Sequence, residues 1–99
     1  PDFFSDLVEG VIAHADQIDE HLLSVLVKDW TLERMDLLLK DILRTAIYEM
    51  TTVFETPGKV IINEYVDVTA LFYDETEPKL VNAMLDKLGH EVRKEEFKN

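Results

Sequence analysis

The sequence predicts an all-α protein, a bundle of about five helices in one unit. Two observations carry this. Apolar residues recur at steps of three and four along long segments, and Gly and Pro number only 3 each, too few for an all-β chain built on tight turns. At 99 residues, with 46% hydrophobic and 31% charged content, the chain suits one small domain and is too apolar to remain disordered.

Residues 3–28 read as helix, divisible near Gly10 and the polar stretch His14-Ala15-Asp16-Gln17. Asp2 is placed to cap its start. Phe3, Phe4, Leu7, Val11 and Ile12 form a first stripe, and Ile18, Leu22, Leu23, Val25 and Leu26 a second of changed phase. Trp30-Thr31 opens a short turn over 32–35, with Thr31 as cap and Trp30 packing over Met35. Asp36 offers a second cap for helix 37–54. The stripe Leu39, Ile42, Leu43, Ala46, Ile47, Met50 and Phe54 makes that helix the central one. Pro57 disfavours helical geometry at Thr56 and suits the first turn of helix 58–73. There Ile61, Ile62, Tyr65, Val66, Thr69 and Phe72 point inward, although Val60-Ile61-Ile62 alone also fits a strand. Asp74 to Pro78 is a loop and helix start. A last helix over 77–92 uses Leu80, Val81, Met84, Leu85, Leu88 and Val92, and the charged tail Arg93 to Asn99 frays. Trp30, Ile42, Ile47, Ile62 and Met84 are the expected centre of the core.

Charge narrows the function classes. Ten basic against 21 acidic side chains give −11, the opposite of a typical nucleic-acid binder. Residues 1–30 hold seven acids and one base, whereas 57–99 hold nine and six. The first third therefore repels phosphate and attracts a basic protein, while the last third leaves room for a local basic face. Without cysteine there is no disulfide scaffold, thiolate zinc site or cysteine nucleophile, which fits the cytosol. No apolar run approaches the roughly 18 residues of a membrane span. His14, His21 and His90 follow no metal-binding spacing, and no phosphate-cradling glycine loop or nucleophile motif occurs. No residue set carries a catalytic reading, a metal or a cofactor.

Three stretches, in order, resemble the NusB family of bacterial transcription antitermination factors. They are WTLERMDLLLKDILRTAIYEM (Trp30 to Met50), PGKVIINEYVDVTALF (Pro57 to Phe72) and KLVNAMLDK (Lys79 to Lys87), with FFSDLVEGV before them. Their succession is specific where each alone is weak, and the likeness covers nearly all the chain. The resemblance implies a helical fold of about seven helices without catalysis. It also implies RNA binding: with NusE, a small-subunit ribosomal protein, the family binds boxA RNA within the RNA polymerase antitermination complex. The outcome is transcription of ribosomal RNA operons and rRNA maturation, in the cytoplasm and away from membranes. An acidic chain that recruits a basic ribosomal protein fits that division of labour. The family's N-terminal helices, with their arginine-rich RNA-gripping segment, have no counterpart before Pro1. Residues 1–99 are therefore expected to be the C-terminal two-thirds, a fragment that alone binds boxA poorly. The apolar face left uncovered makes self-association expected.

The resemblance places Phe72, Tyr73, Thr76, Lys79 and Asn82 along the RNA path. Leu80 stands where the family usually has an aromatic; leucine offers no π face, so Phe72 or Tyr73 is the nearest stacking group. Glu33, Asp36 and Lys40 fall near the NusE surface, with Leu39 making it more apolar, although Glu33 and Asp36 also suit the helix dipole. Arg44, Tyr48, Glu49, Asn63 and Glu64 are assigned to structure. They are expected to form a half-buried network in which Glu49 or Glu64 neutralises Arg44, and loss of a partner destabilises strongly. Two rival readings are the NusB-like N-terminal domain of an rRNA cytosine methyltransferase and a purely protein-binding helical module.

Overall fold

A computed structural model describes residues 2–98. Asn99, the end of the expected tail, lies outside the described residues. Six α-helices and one 3-10 turn make up the regular structure, with no strand among the described residues. Helices α1 (Phe3–Ala13) and α2 (Ala15–Ser24) are two parts of the first segment. The chain leaves helical geometry at His14, whose Nδ1–H donates to the Gly10 carbonyl at 2.9 Å. Asp2 caps α1 by accepting from the Ser5 N–H at 2.7 Å. Gly10 makes room for a neighbouring side chain, because a Cβ there would fall 2.2 Å from the Tyr48 ring of the helix beneath and the ring would have to turn aside. Helix α2 stops at Ser24 rather than at 28. Val25 turns into the core, and Asp29 at φ 75° redirects the chain. Thr31 makes no side-chain cap bond before the 3-10 turn Leu32–Arg34. The Arg34 guanidinium donates to the Asp29 carbonyl and lies 4.9 Å from the Trp30 ring centroid, which fastens the turn instead.

Helix α3 (Leu37–Thr52) is central, touching α1, α2, α4 (Gly58–Phe72) and α5 (Thr76–Val92). Asp36 starts it by accepting from the Leu39 N–H at 2.9 Å. Pro57 sits just before α4 as its N-cap. Ile61 and Ile62 point inward and Val60 outward, a helical rather than an alternating arrangement. Helix α5 packs most extensively on α4 through residues including Val81, Met84, Leu85 and Leu88. Ile47, Ile62 and Met84 centre the core as expected; Trp30 is half-buried against it, and Ile42 is buried outside the contiguous cluster.

Three expectations fail at helix ends. Phe54 and Phe72 are 55% and 61% exposed instead of inward. Phe54 lies past the end of α3, where the helical phase no longer applies, and beyond Phe72 the extended Tyr73 takes the inner place. The tail does not fray. Helix α6 (Lys94–Phe97) folds back, with Phe97 only 3% exposed in a slot between Gly58 and Gly89. The Arg93 side chain is wholly buried and donates to the carbonyls of Met50 (2.9 Å), Val53 (2.6 Å) and Thr56 (2.7 Å). It also pairs with Glu96 at 3.0 Å and lies 4.8 Å from the Phe54 ring centroid. Glu96 accepts from the Gly58 N–H at 2.7 Å, which starts α4.

Candidate functional site

The residues assigned to RNA fall at the α4–α5 junction. Phe72 ends α4 and is exposed; Tyr73 follows it, half-buried; Thr76 opens α5; Lys79 and Asn82 stand on its exposed side. Leu80, by contrast, is 4% exposed and belongs to the core, so it offers no surface to a base. Asn82 lines a shallow hollow of about 230 Å³ with Lys59, Asn63 and Asp86. Lys59 is the functional candidate that the sequence reading overlooked; its place one helical turn before Asn63 was the available signal.

The residues assigned to a protein partner surround the start of α3. Glu33 and Asp36 are exposed and Lys40 is half-buried. Leu39 faces the core at 2% exposure, so the apolar character of this surface comes from Leu37 (67%) and Leu38 (42%) instead. One hydrogen bond ties the two sets together: the Tyr73 hydroxyl donates to Asp36 Oδ1 at 2.5 Å. That bond, with the Leu39 N–H, holds the Asp36 carboxyl below its ordinary range. Partial burial and the bond to Asp36 push the Tyr73 phenol up to about 12. Asp36 thus caps a helix and clamps the α4–α5 junction at once. Around Lys79 stand Asp74, Glu75 and Glu77, so the junction is locally acidic.

The expected Arg44 network is divided. Arg44 pairs with Asp19 of α2 at 3.0 Å and Asp41 at 3.4 Å, not with Glu49 or Glu64. Five residues of helix turn through about 140° beyond a full circle, so Arg44 and Glu49 leave α3 on different sides. Glu49 is buried and accepts from the Tyr65 hydroxyl; Tyr48 packs beside His14 at 5.6 Å between ring centroids; Asn63 and Glu64 are exposed. Among the described residues, no group of three or more His, Cys, Asp or Glu gathers to hold a metal, and no helix is long and apolar enough to cross a membrane.

The NusB family profile matches residues 1–90. The chain belongs to the NusB family. It is 42% identical over 92 residues to the transcription antitermination protein NusB of Sphingopyxis alaskensis, covering 93% of this chain and 62% of that protein. The same-named protein of Brucella anthropi is 42% identical over 95 residues, with 96% and 56% covered. That of Bradyrhizobium diazoefficiens is 39% identical over 95 residues, with 96% and 58% covered. The chain thus spans about six tenths of the length of the curated relatives it matches. No solved structure matches it. The NusB profile takes in the whole Tyr73–Asp36 surface but stops before Arg93, Glu96 and Phe97.

Proposed function

We propose that these residues form the docking part of a NusB-family antitermination factor, non-enzymatic and cytoplasmic. In this reading they are the C-terminal portion of a longer family chain, and the NusE-type ribosomal protein seats on Glu33, Asp36 and Lys40. BoxA RNA runs past Phe72, Tyr73, Thr76, Lys79 and Asn82, within the RNA polymerase complex that transcribes ribosomal RNA operons, and rRNA maturation follows. The observation that carries the reading is the Tyr73–Asp36 bond, which makes one continuous surface of the two residue sets. The names of the relatives support the antitermination role.

The charge argues for a partner. A phosphate approaching Lys79 also meets Asp74, Glu75 and Glu77, so this face alone gives little counterion release. A basic protein beside Asp36 would change the sign of the field that the RNA meets. The test is a fluorescence-anisotropy titration of boxA RNA with this chain, with NusE, and with both. Weak binding by the chain alone and tight binding by the pair are expected. Lys79→Ala should then reduce the slope of log K against log salt by about 0.7, and Tyr73→Ala should weaken the ternary complex tenfold or more. Full-strength binding by the chain alone, or no association with NusE, would refute it. The acidic junction itself favours one alternative, a purely protein-binding module. NusE binding with an RNA titration indifferent to both substitutions would establish that instead.

A further inference from the structure

Helices α4 and α5 run antiparallel, since Gly58 at the start of α4 and Gly89 near the end of α5 both meet the Phe97 ring. The hollow of about 230 Å³ lies between them, lined by Lys59, Ile62, Asn63, Asn82 and Asp86. Lys59 and Asn63 stand one turn apart on α4, as do Asn82 and Asp86 on α5. Antiparallel packing therefore sets Lys59 toward Asp86 and Asn63 toward Asn82. Ile62, 4% exposed, supplies an apolar floor.

The polar groups of the hollow are unspent. Among the described residues, neither asparagine side chain has a hydrogen-bond partner, and Lys59 has no ion pair. The Lys59 ammonium lies 5.8 Å from the Phe97 ring centroid. His90 Nδ1 donates to the Asp86 carbonyl at 3.0 Å and stays 3.8 Å from the Asp86 carboxylate.

Lys59 and Asp86 cancel in charge, whereas Asp74, Glu75 and Glu77 make the α4–α5 junction acidic. A phosphate gains little in a neutral hollow. A planar group with donors and acceptors along its edge and an apolar face matches it. The volume is below the roughly 300–1,000 Å³ of pockets that enclose a whole small molecule, so the occupant is one ring of a longer strand. Asn82 follows Lys79 by three residues on α5, so a strand passing Lys79 reaches the hollow next.

We propose that the hollow selects one unpaired base of the bound RNA, adenine or cytosine. Asp86 accepts from its exocyclic amino group, Lys59 donates to the ring nitrogen beside that group, an asparagine amide adds a donor–acceptor pair, and Ile62 lies against the ring. Guanine and uracil place a carbonyl oxygen where adenine and cytosine place the amino group, which sets an acceptor against the carboxylate. The proposal rests on the RNA reading and adds base selection to it.

Only Asn63, Asn82, Asn99 and Gln17 carry side-chain amides, so their NMR resonances report on the hollow directly. At low salt, eight-nucleotide oligo-A and oligo-C should shift the Asn63 and Asn82 amides and not that of Gln17 on α2. Half-saturation should come at a concentration at least about tenfold below that for oligo-U. AMP should move the same amides only at much higher concentration; AMP as tight as oligo-A would give the hollow to a free nucleotide and overturn the proposal. Asp86→Asn, at an exposed position, should erase the preference over oligo-U. Asn63→Ala should weaken oligo-A about tenfold with an unchanged melting temperature. Unmoved amides, equal affinity for oligo-A and oligo-U, or amides moved by NusE without RNA would overturn it. Tight boxA binding by the NusE-bound chain that ignores both substitutions refutes the hollow alone. Selective binding of oligo-A by a chain that with NusE binds no boxA upholds the hollow and refutes the earlier reading.

Discussion

Replacing Arg93 by alanine removes a guanidinium that closes the end of the central helix. Its donors serve Met50 in the last turn of α3, Val53 at its C-cap and Thr56 in the following loop, at 2.6–2.9 Å. Hydrogen bonds from a charged donor contribute about 1.5–3 kcal/mol each, but three such values do not add, because water enters the vacated space. Glu96, more than a third exposed, is left to water, but each carbonyl left dry without a donor costs about 1–3 kcal/mol, so a loss of about 3–5 kcal/mol is expected. For a domain of this length each kcal/mol lowers the melting temperature by about 4–8 °C, so the midpoint should fall by at least about 12 °C. Urea unfolding followed by fluorescence of the single tryptophan, Trp30, and by far-ultraviolet ellipticity measures the change. Arg93→Lys keeps the charge but not the fork of donors, and about half the loss should remain. A decrease below about 1 kcal/mol for Arg93→Ala would refute the closure argument, since surface substitutions cause changes of that size.

Further outcomes follow from the same contacts. Arg44→Ala should cost no more than about 1 kcal/mol, because its pairs with Asp19 and Asp41 are partly solvated; a melt shifted as far as that of Arg93→Ala would contradict this. Gly89→Ala gains about 1 kcal/mol of helix propensity. The new Cβ would lie 2.5 Å from the Phe97 ring, however, and expelling that ring costs about 3–5 kcal/mol, so a lower melting temperature is expected. The Asp36 and Glu96 carboxyls are held below their ordinary values of 3.8 and 4.5, Glu96 chiefly by the Gly58 N–H and then by Arg93. Their contribution is therefore complete above about pH 4.5 and is lost as pH falls through the folded-state values. Urea midpoints measured from pH 6 to pH 3 should decline, and Glu96→Gln should flatten part of that decline. At the alkaline end the sign reverses: the raised Tyr73 phenol stabilises the fold below pH 10, and that stability is lost as pH rises through about 12, a loss that Tyr73→Phe should reduce in alkaline melts.

Helix α3 was legible because its information is periodic: Leu39, Leu43, Ala46, Ile47 and Met50 are buried at helical steps, and Asp36 announces the start. The join between the two candidate residue sets was not legible. Tyr73 and Asp36 are 37 residues apart and meet only because α4 returns the chain to the beginning of α3. Arg44 and Glu49 misled for the complementary reason: their nearness in sequence suggested that one neutralises the other, and helical rotation separated them. The tail was illegible altogether. A guanidinium bonded to backbone carbonyls leaves no apolar period, since its partners are atoms that every residue possesses.

An open trough of about 410 Å³, lined by Phe3, Leu7 and Glu49, also uses Val60, Glu64 and Val68 of α4, while the hollow beside Asn82 uses Lys59 and Asn63 of the same helix. Residues one apart on a helix point about 100° from one another, so the two surfaces occupy adjacent sides of α4 rather than one. A substitution in the trough consequently leaves Lys59, Asn63 and Asn82 untouched. Their chemistry differs: the trough offers carboxylates among apolar walls, whereas the hollow offers amides and an ammonium with only Asp86 opposed. On the proposed RNA reading, Val60→Asp should therefore leave boxA binding by the NusE-bound chain unchanged. If Val60→Asp abolishes it while the melting temperature holds, α4 couples the two sides, and separate docking surfaces are the wrong description.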